Sequence, residues 1–126
     1  MEGHLKCVAF NAAGSLVATA GPDRQVYIIE LNTGEMVKLA GHTETVYSIC
    51  FSSDGQILAS GSESARLWNL EQRKEIGNLP LESHVAYSLA FRPDGELLAV
   101  ERVQHNFPLA PPDTGGTDHV YAAFEF

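Results

Sequence analysis

A loose cluster near the C-terminus contains residue types that could bind a metal ion or act as acids and bases: His105, Asp113, Asp118 and His119. Their spacing matches no zinc signature, and no cysteine accompanies them. They also lie in or beside a segment rich in proline and glycine, which lacks the rigid support that a metal site needs. The sequence therefore predicts no metal site.

His42 and Ser60 are a second combination that could do chemistry, since a histidine can act as the base for a serine nucleophile. Such a serine must be exposed beside oxyanion-binding donors, and the sequence contains no Gly-x-Ser-x-Gly elbow. Gly115-Gly116 is not followed by Lys-Ser/Thr, as a phosphate-binding loop would be. We therefore predict no catalytic residue and no cofactor, and expect that the chain is not an enzyme.

The composition is that of one folded domain: 126 residues, of which 44% are hydrophobic. The formal net charge of -8 would repel nucleic acids and anionic membranes and favours protein partners with a basic surface. No apolar run approaches the ~18 residues of a membrane span. Cys7 and Cys50 make no disulfide framework, so we expect an intracellular, cytoplasmic location, with the nucleus not excluded. An Ala-x-Ala triplet at 18–20 resembles a signal-peptide end, but polar residues interrupt the run before it.

Three similar stretches divide the chain. GHTETVYSICFSSDGQ at 41–56 resembles ESHVAYSLAFRPDGEL at 82–97 and, less closely, LKCVAFNAAGSL at 5–16. A recurrence of about 40 residues is the size of one supersecondary unit in repeat proteins. The pattern predicts units at 1–40, 41–81 and 82–126.

Within each unit, short apolar runs alternate with clusters of Gly, Asp, Asn and Pro, the pattern of an antiparallel meander. In the middle unit this predicts strands near 46–51, 57–61, 65–70 and 74–79. Asp54-Gly55 supplies a side chain that bonds its own backbone and a residue that tolerates positive φ, as a hairpin requires. The helix-favouring run from Leu70 to Ile76 is too short for an isolated helix, so we predict a nearly all-β chain.

The middle unit resembles a WD repeat, the four-stranded blade of a β-propeller. The matching residues are Gly41-His42, Val46 to Phe51, Ser53-Asp54-Gly55, Leu58 to Ser62 and Arg66 to Leu70. The resemblance covers almost the whole chain, although the two outer units match less well. It implies an all-β fold of three four-stranded antiparallel blades in an incomplete ring.

In WD repeats a histidine, a serine or threonine, an aspartate and a tryptophan form a hydrogen-bonded tetrad that stiffens the blade. The resemblance assigns these positions to His42, Ser60 and Trp68 in the middle unit and to Thr19 and Asp23 in the first unit. The middle unit lacks the aspartate, because its turn reads Glu63-Ser64 and is two residues shorter than the turn of the first unit. We therefore expect an incomplete network, with stiffness that rests mainly on apolar packing.

Three units cannot close a propeller, which uses ~4–8 blades. We expect the first unit to lack its outer strand and the third to end in its third strand, from Val120 to Phe126. Each open end would expose an apolar face of ~400–600 Å², which is large enough to mark an interface. Two alternatives stay open: copies of the chain associate, or further blades of a longer propeller complete the ring.

The third unit contains a predicted loop insertion at 101–118, where several prolines and glycines oppose regular structure. This segment could bind a partner or be an insertion without a binding role. In the resembled fold, the loops after the second and fourth strands share the face that most often binds partners. Candidate contacts on or near that face are Arg24, Glu44, Glu63, Glu82, Arg102 and Phe107.

The resemblance implies a non-catalytic scaffold for protein–protein interaction, in which a rigid β framework holds loop side chains in fixed positions. Two alternatives remain. One is a structural ring subunit that functions only as a homo-oligomer, and the other is a propeller-based metal-dependent hydrolase that uses the histidines His105 and His119.

Overall fold

The structure, a computed structural model, describes residues 6–81, 84–94, 97–104 and 120–125. These residues contain no helix, and hence none that could cross a membrane. The strands are β1 Cys7–Phe10, β2 Leu16–Ala20, β3 Val26–Glu30, β4 Met36–Leu39, β5 Ser48–Phe51, β6 Ile57–Gly61, β7 Ser64–Asn69, β8 Lys74–Pro80, β9 His84–Phe91, β10 Leu97–Gln104 and β11 Val120–Glu125.

The strands form three antiparallel sheets in which each strand pairs with its neighbours along the chain. The sheets consist of β1 to β4, β5 to β8 and β9 to β11. This confirms the predicted all-β fold of successive up-and-down units. The strands of the second sheet begin and end within two residues of the positions predicted near 46–51, 57–61, 65–70 and 74–79.

The first sheet contradicts the prediction that its unit lacks an outer strand. β4 occupies that position and pairs with β3, where Val26 lies opposite Leu39. The reversal between the two strands is possible because Gly34 adopts φ 77°, and its N–H donates to the Glu30 carbonyl at 2.7 Å. The third sheet has three strands among the described residues, rather than the four of a complete blade.

β10 is longer than the sequence predicts. Residues 101–104 continue the strand, although the pattern assigns them to the loop insertion, and Gln104 lies opposite His84 on β9. The register shifts between Glu101 and Arg102, which marks a β-bulge. The rest of the predicted insertion, 105–118, lies outside the described residues.

Two apolar layers hold the sheets together face to face. Successive residues of a strand point to opposite faces, so the strands of the second sheet contribute to both layers. Leu58 and Trp68 pack against the first sheet, whereas Ala59 and Leu67 pack in the layer shared with the third sheet. All four are at most 2% exposed, and complete burial of a leucine stabilises the fold by about 1.5–3 kcal/mol.

The second and third sheets approach most closely at Gly61. A side-chain carbon at this position would lie 2.7 Å from Cβ of Ala86 and 2.8 Å from the carbonyl oxygen of Ala86. The Ala86 N–H also donates to the Ser62 carbonyl at 2.8 Å. The first and second sheets are joined in a similar way, because the Val46 N–H donates to the Gly21 carbonyl at 3.1 Å. Adjacent sheets are therefore fixed by backbone hydrogen bonds as well as by packing.

Because neighbouring strands are antiparallel, their connections alternate between the two ends of the sheets. We call one end the loop face, and in the first two sheets it carries residues 21–25, 40–47 and 62–63. The opposite end is the turn face, and there it carries residues 11–15, 31–35, 52–56 and 70–73.

The side of the first sheet that faces away from the second sheet is apolar and exposed. Val8, Phe10 and Met36 are 62%, 63% and 51% exposed. Their strand neighbours Cys7 and Ala9 point the other way and pack against the second sheet. This open side is the apolar blade face that three unclosed units are expected to leave.

Candidate functional site

A buried hydrogen-bonded network lies on β6 and β7, with the Ser60 hydroxyl at its centre. The Trp68 indole N–H donates to Ser60 Oγ at 2.8 Å, and His42 Nε2 lies 2.6 Å from the same oxygen. Trp68 is opposite Leu58 in the sheet, so its ring reaches Ser60 as a diagonal neighbour on one face. The structure thus brings together the three residues that the resemblance assigns to the tetrad of the middle unit.

The direction of each hydrogen bond follows from what the groups can donate. The Trp68 indole can only donate, so Ser60 Oγ accepts from it. The Ser60 hydroxyl in turn donates a hydrogen bond to His42 Nε2, so the proton of the neutral His42 ring lies on Nδ1. Nδ1 lies 3.2 Å from Glu63 Oε1 and donates a hydrogen bond to it. In the opposite tautomer, the Nδ1 lone pair would face the negatively charged carboxylate. The network is therefore a chain with one proton for each hydrogen bond.

The Glu63 carboxylate is the fourth member of this network. Its Oε1 accepts from the His42 ring and from the Thr43 N–H at 3.1 Å. Its Oε2 accepts from Arg66 Nη2 at 3.0 Å and from the Ser64 hydroxyl at 2.9 Å. Four donors therefore hold the one carboxylate, and they connect the β6–β7 turn to the segment before β5.

The position of Glu63 differs from both expectations for it. The sequence predicts an incomplete tetrad, because the turn has Glu63-Ser64 and no aspartate, and it assigns Glu63 to the partner-binding contacts. The side chain is only 26% exposed and occupies the place of the missing aspartate. The turn is two residues shorter than that of the first unit, and the extra methylene of glutamate spans the gap. An acidic residue between Ser60 and Arg66 was the signal that a search for aspartate alone missed.

Burial and hydrogen bonding set the charges in the network. Burial lowers the pKa of His42 from its ordinary value, although Glu63 acts to raise it. Burial also raises the pKa of the Glu63 carboxyl, but the Thr43 N–H, His42, Arg66 and Ser64 outweigh this effect and lower the pKa to about 2. At neutral pH the imidazole is therefore neutral and the carboxylate is charged.

The order carboxylate, imidazole, hydroxyl in Glu63, His42 and Ser60 is that of a hydrolase triad, but the arrangement cannot act as one. Ser60 is 0% exposed, and its oxygen already accepts from Trp68 at 2.8 Å. A nucleophile must reach a carbonyl carbon and must have oxyanion donors beside it. The geometry of this network instead suits a structural link between strands.

The first sheet places a second acid at the same end of the strands. Asp23 Oδ2 accepts from the Tyr27 hydroxyl at 2.7 Å, and Oδ1 accepts from the Gln25 N–H at 3.2 Å. Tyr27 lies opposite Thr19 in the sheet, and both side chains are buried. The loop of residues 21–25 is therefore anchored by the side chain of Asp23.

Two of the candidate partner contacts are exposed on the loop face. Arg24 and Glu44 lie on neighbouring loops that are joined by the Val46–Gly21 backbone hydrogen bond. Arg24 has φ 69°, and its N–H donates to the Gly21 carbonyl at 3.2 Å, which fixes the backbone of this turn. The remaining candidates, Glu82, Phe107 and the side chain of Arg102, lie outside the described residues.

The two cysteine thiols are half-buried and do not form a reactive site. Cys7 and Cys50 are free, and burial raises the pKa of these thiols to about 11 and about 12. Both are therefore protonated at neutral pH and are poor nucleophiles. Where the structure describes the chain, no group of three His, Cys, Asp or Glu residues could hold a metal ion. The cluster from His105 to His119 lies outside that part.

Comparison with known proteins identifies several relatives of this chain. The Periodic tryptophan protein 2 homolog of Schizosaccharomyces pombe is 37% identical over 75% of this chain, and the match covers 12% of the relative. The WD repeat-containing protein SL1-17 of Schistosoma mansoni is 30% identical over 90% of this chain and 40% of its own length. The WD repeat-containing protein 1 of Mus musculus is 32% identical over 64% of this chain and 14% of its own length.

The chain therefore spans less than half the length of each of these relatives. The family model for the WD domain, G-beta repeat, matches residues 1–30 and 34–69. These two matches cover the first sheet and most of the second, including the network around Ser60. With three successive antiparallel sheets that pack face to face, these matches show that the chain belongs to the WD-repeat family.

Proposed function

We propose that this chain is a non-catalytic protein-interaction scaffold that presents side chains on its loop face. The proposal rests on the side-chain hydrogen bonds that hold the loop-face segments in place. Asp23 anchors residues 21–25, and Glu63 joins the β6–β7 turn to Thr43. Side chains held on such segments lose little conformational entropy when a partner docks.

The exposed residues on this face supply both signs of charge. Arg24 and Glu44 can form ion pairs with a partner, and the net charge of -8 favours a partner surface that is basic overall. The names of the relatives state that they contain WD repeats and tryptophans, which supports a shared scaffold role. An intracellular location, in the cytoplasm or in the nucleus, is part of the proposal, and it rests on the two free thiols.

Site-specific photocrosslinking tests this proposal. A photoreactive phenylalanine analogue replaces Arg24 or Glu44 on the loop face, and Ala13, which is exposed on the turn face, serves as the control. After irradiation in a cell extract, we expect discrete adducts from the two loop-face positions that disappear when the other loop-face residue carries a reversed charge. Equal adducts from Ala13, or adducts that survive the charge reversal, would contradict the loop-face assignment.

A second candidate function, a structural ring subunit that works as a homo-oligomer, rests on the open side of the first sheet. Val8 and Phe10 are more than half exposed there, and an apolar strand face of this kind favours association. Light scattering on the purified chain separates the two cases. A discrete dimer or trimer supports the ring subunit, whereas a monomer supports a module that needs blades from elsewhere.

A further inference from the structure

A cavity of about 180 Å³ lies between the first and second sheets at the turn face. Its walls are apolar and come from both sheets: Leu16, Ile28, Val37, Leu39 and Leu70. These residues belong to, or pack against, the apolar layer between the two sheets. The cavity is therefore a gap at the end of that layer, where wall atoms lack partners on one side.

The rim of the cavity is charged and open to water. Arg73 Nη2 lies 3.4 Å from Glu35 Oε1, and the two side chains are 56% and 57% exposed. Glu30 supplies a second carboxylate to the same rim. Two carboxylates and one guanidinium line the rim, so the rim has a net negative charge, in a chain whose total charge is -8.

Size and charge together define what could occupy this space. An apolar cavity of ~150 Å³ is known to hold a benzene molecule, so the volume here suits one leucine, methionine or phenylalanine side chain. A negative rim around an apolar pocket favours a ligand that carries a positive charge close to its apolar group. A nucleic acid or an anionic lipid fits neither the rim nor the net charge of the chain.

We propose that this cavity binds one apolar side chain of a partner protein, followed or preceded by a lysine or arginine that pairs with Glu30 and Glu35. This inference rests on the proposed scaffold function and adds a second contact surface on the opposite face from Arg24 and Glu44. The wall residues bury the apolar group, and the rim selects the neighbouring basic residue. Leu70 and Arg73 come from the second sheet, so the site exists only when the two sheets are packed together.

The test uses a dipeptide probe, N-acetyl-leucyl-lysine amide, and methyl NMR spectra of the full chain. We expect concentration-dependent shifts of the Ile28, Val37 and Leu39 methyl signals, with a dissociation constant on the order of 1–10 mM for so small a probe. N-acetyl-leucyl-glutamate amide should bind about fivefold more weakly because its charge is repelled. N-acetyl-glycyl-lysine amide should leave the three methyl signals unchanged.

Three variants make the result specific. Val37→Phe fills the cavity and should abolish the shifts. Glu30→Gln keeps the walls intact and should weaken binding by about two- to fivefold, whereas Asp94→Asn, at an exposed position after β9 in the third sheet, should leave it unchanged. Glu30→Gln keeps the proposal testable even if Val37→Phe disturbs the fold.

Absence of the methyl shifts, equal binding of the glutamate probe, or a Glu30→Gln chain that binds as tightly as the Asp94→Asn chain would each overturn the proposal. None of these outcomes affects the scaffold proposal, which depends on crosslinks at the loop face. Conversely, the absence of loop-face adducts would contradict the scaffold proposal and would not change the dipeptide result.

Discussion

Removal of the Ser60 hydroxyl should destabilise the chain more than removal of any serine that makes a single bond. In Ser60→Ala, the Trp68 indole N–H loses its acceptor and His42 Nε2 loses its donor. Both groups stay buried, because Trp68 is 2% exposed and His42 is 6% exposed. An unsatisfied buried polar group destabilises by about 1–3 kcal/mol, so the two together predict a loss of about 2–6 kcal/mol.

Ser62 provides a matched control two residues away on the same sheet. It is also fully buried, but its hydroxyl donates a single hydrogen bond, to the Thr45 carbonyl at 2.7 Å. Ser62→Ala removes the same atom from a similar environment and should destabilise by about 1 kcal/mol. The difference between the two losses of stability therefore measures the second hydrogen bond of Ser60, whose removal leaves the His42 imidazole without a donor.

Urea unfolding of the two variants and the parent chain measures this difference. The chain contains one tryptophan, so fluorescence reports directly on Trp68, and circular dichroism reports on the sheets. With a slope of about 2 kcal/mol per molar urea, a loss of about 2–6 kcal/mol should lower the Ser60→Ala midpoint by about 1–3 M, with an unchanged slope. Equal midpoints for Ser60→Ala and Ser62→Ala would refute the reasoning, because the network would then contribute no more than one ordinary hydrogen bond.

Three further predictions address the packing, the charge and the open side. Gly61→Ala should destabilise by about 1–3 kcal/mol, since its new methyl would meet the Ser48 hydroxyl at 2.5 Å and Ala86 at 2.7 Å. Gly77→Ala, whose nearest contacts would be Leu67 atoms at 3.1 Å and beyond, should be milder in the same urea assay. The lowered pKa of Glu63 implies a contribution to stability that is complete above pH 4.5, the ordinary pKa of the group, and is lost as the pH falls towards 2. In Glu63→Gln, the melting temperature should therefore change less with pH over that window. A melting temperature that depends on pH as it does in the parent chain would contradict this. Phe10→Glu on the open side should reduce self-association in light scattering without lowering the melting temperature, and association that persists would place the contact elsewhere.

The repeat pattern predicted the fold well because its signals are local. Turn residues such as Asp54-Gly55 fix a reversal wherever they occur, and alternate apolar residues fix which side of a strand is buried. β4 was missed, since MVKL is short and its pairing with β3 depends on the turn at Gly34 rather than on its own composition. The continuation of β10 to Gln104 depends on its partner β9, and no single segment carries that information.

The site was harder to predict, because hydrogen bonds across strands depend on side-chain length as well as residue type. His42, Ser60 and Trp68 were placed by a motif whose spacing is fixed by the sheet. Glu63 was not, because a shorter turn changes which acid can reach the imidazole. The cavity beside Val37 had no sequence signal at all, since a gap between two sheets reflects how their side chains fail to meet.

The first two sheets anchor the turn between their second and third strands with different residues. In each, an acid in the turn between the second and third strands accepts from a donor on the third strand: Tyr27 for Asp23, and Arg66 for Glu63. The two donors occupy equivalent positions, because Tyr27 lies opposite Thr19 and Arg66 lies opposite Ser60. The two sheets share this geometry although the side chains differ. Strand register, and not residue identity, therefore defines the network in these two repeats. A blade without a recognisable aspartate or tryptophan can therefore still fix its loops, provided that an acceptor in the turn and a donor on the third strand share that register.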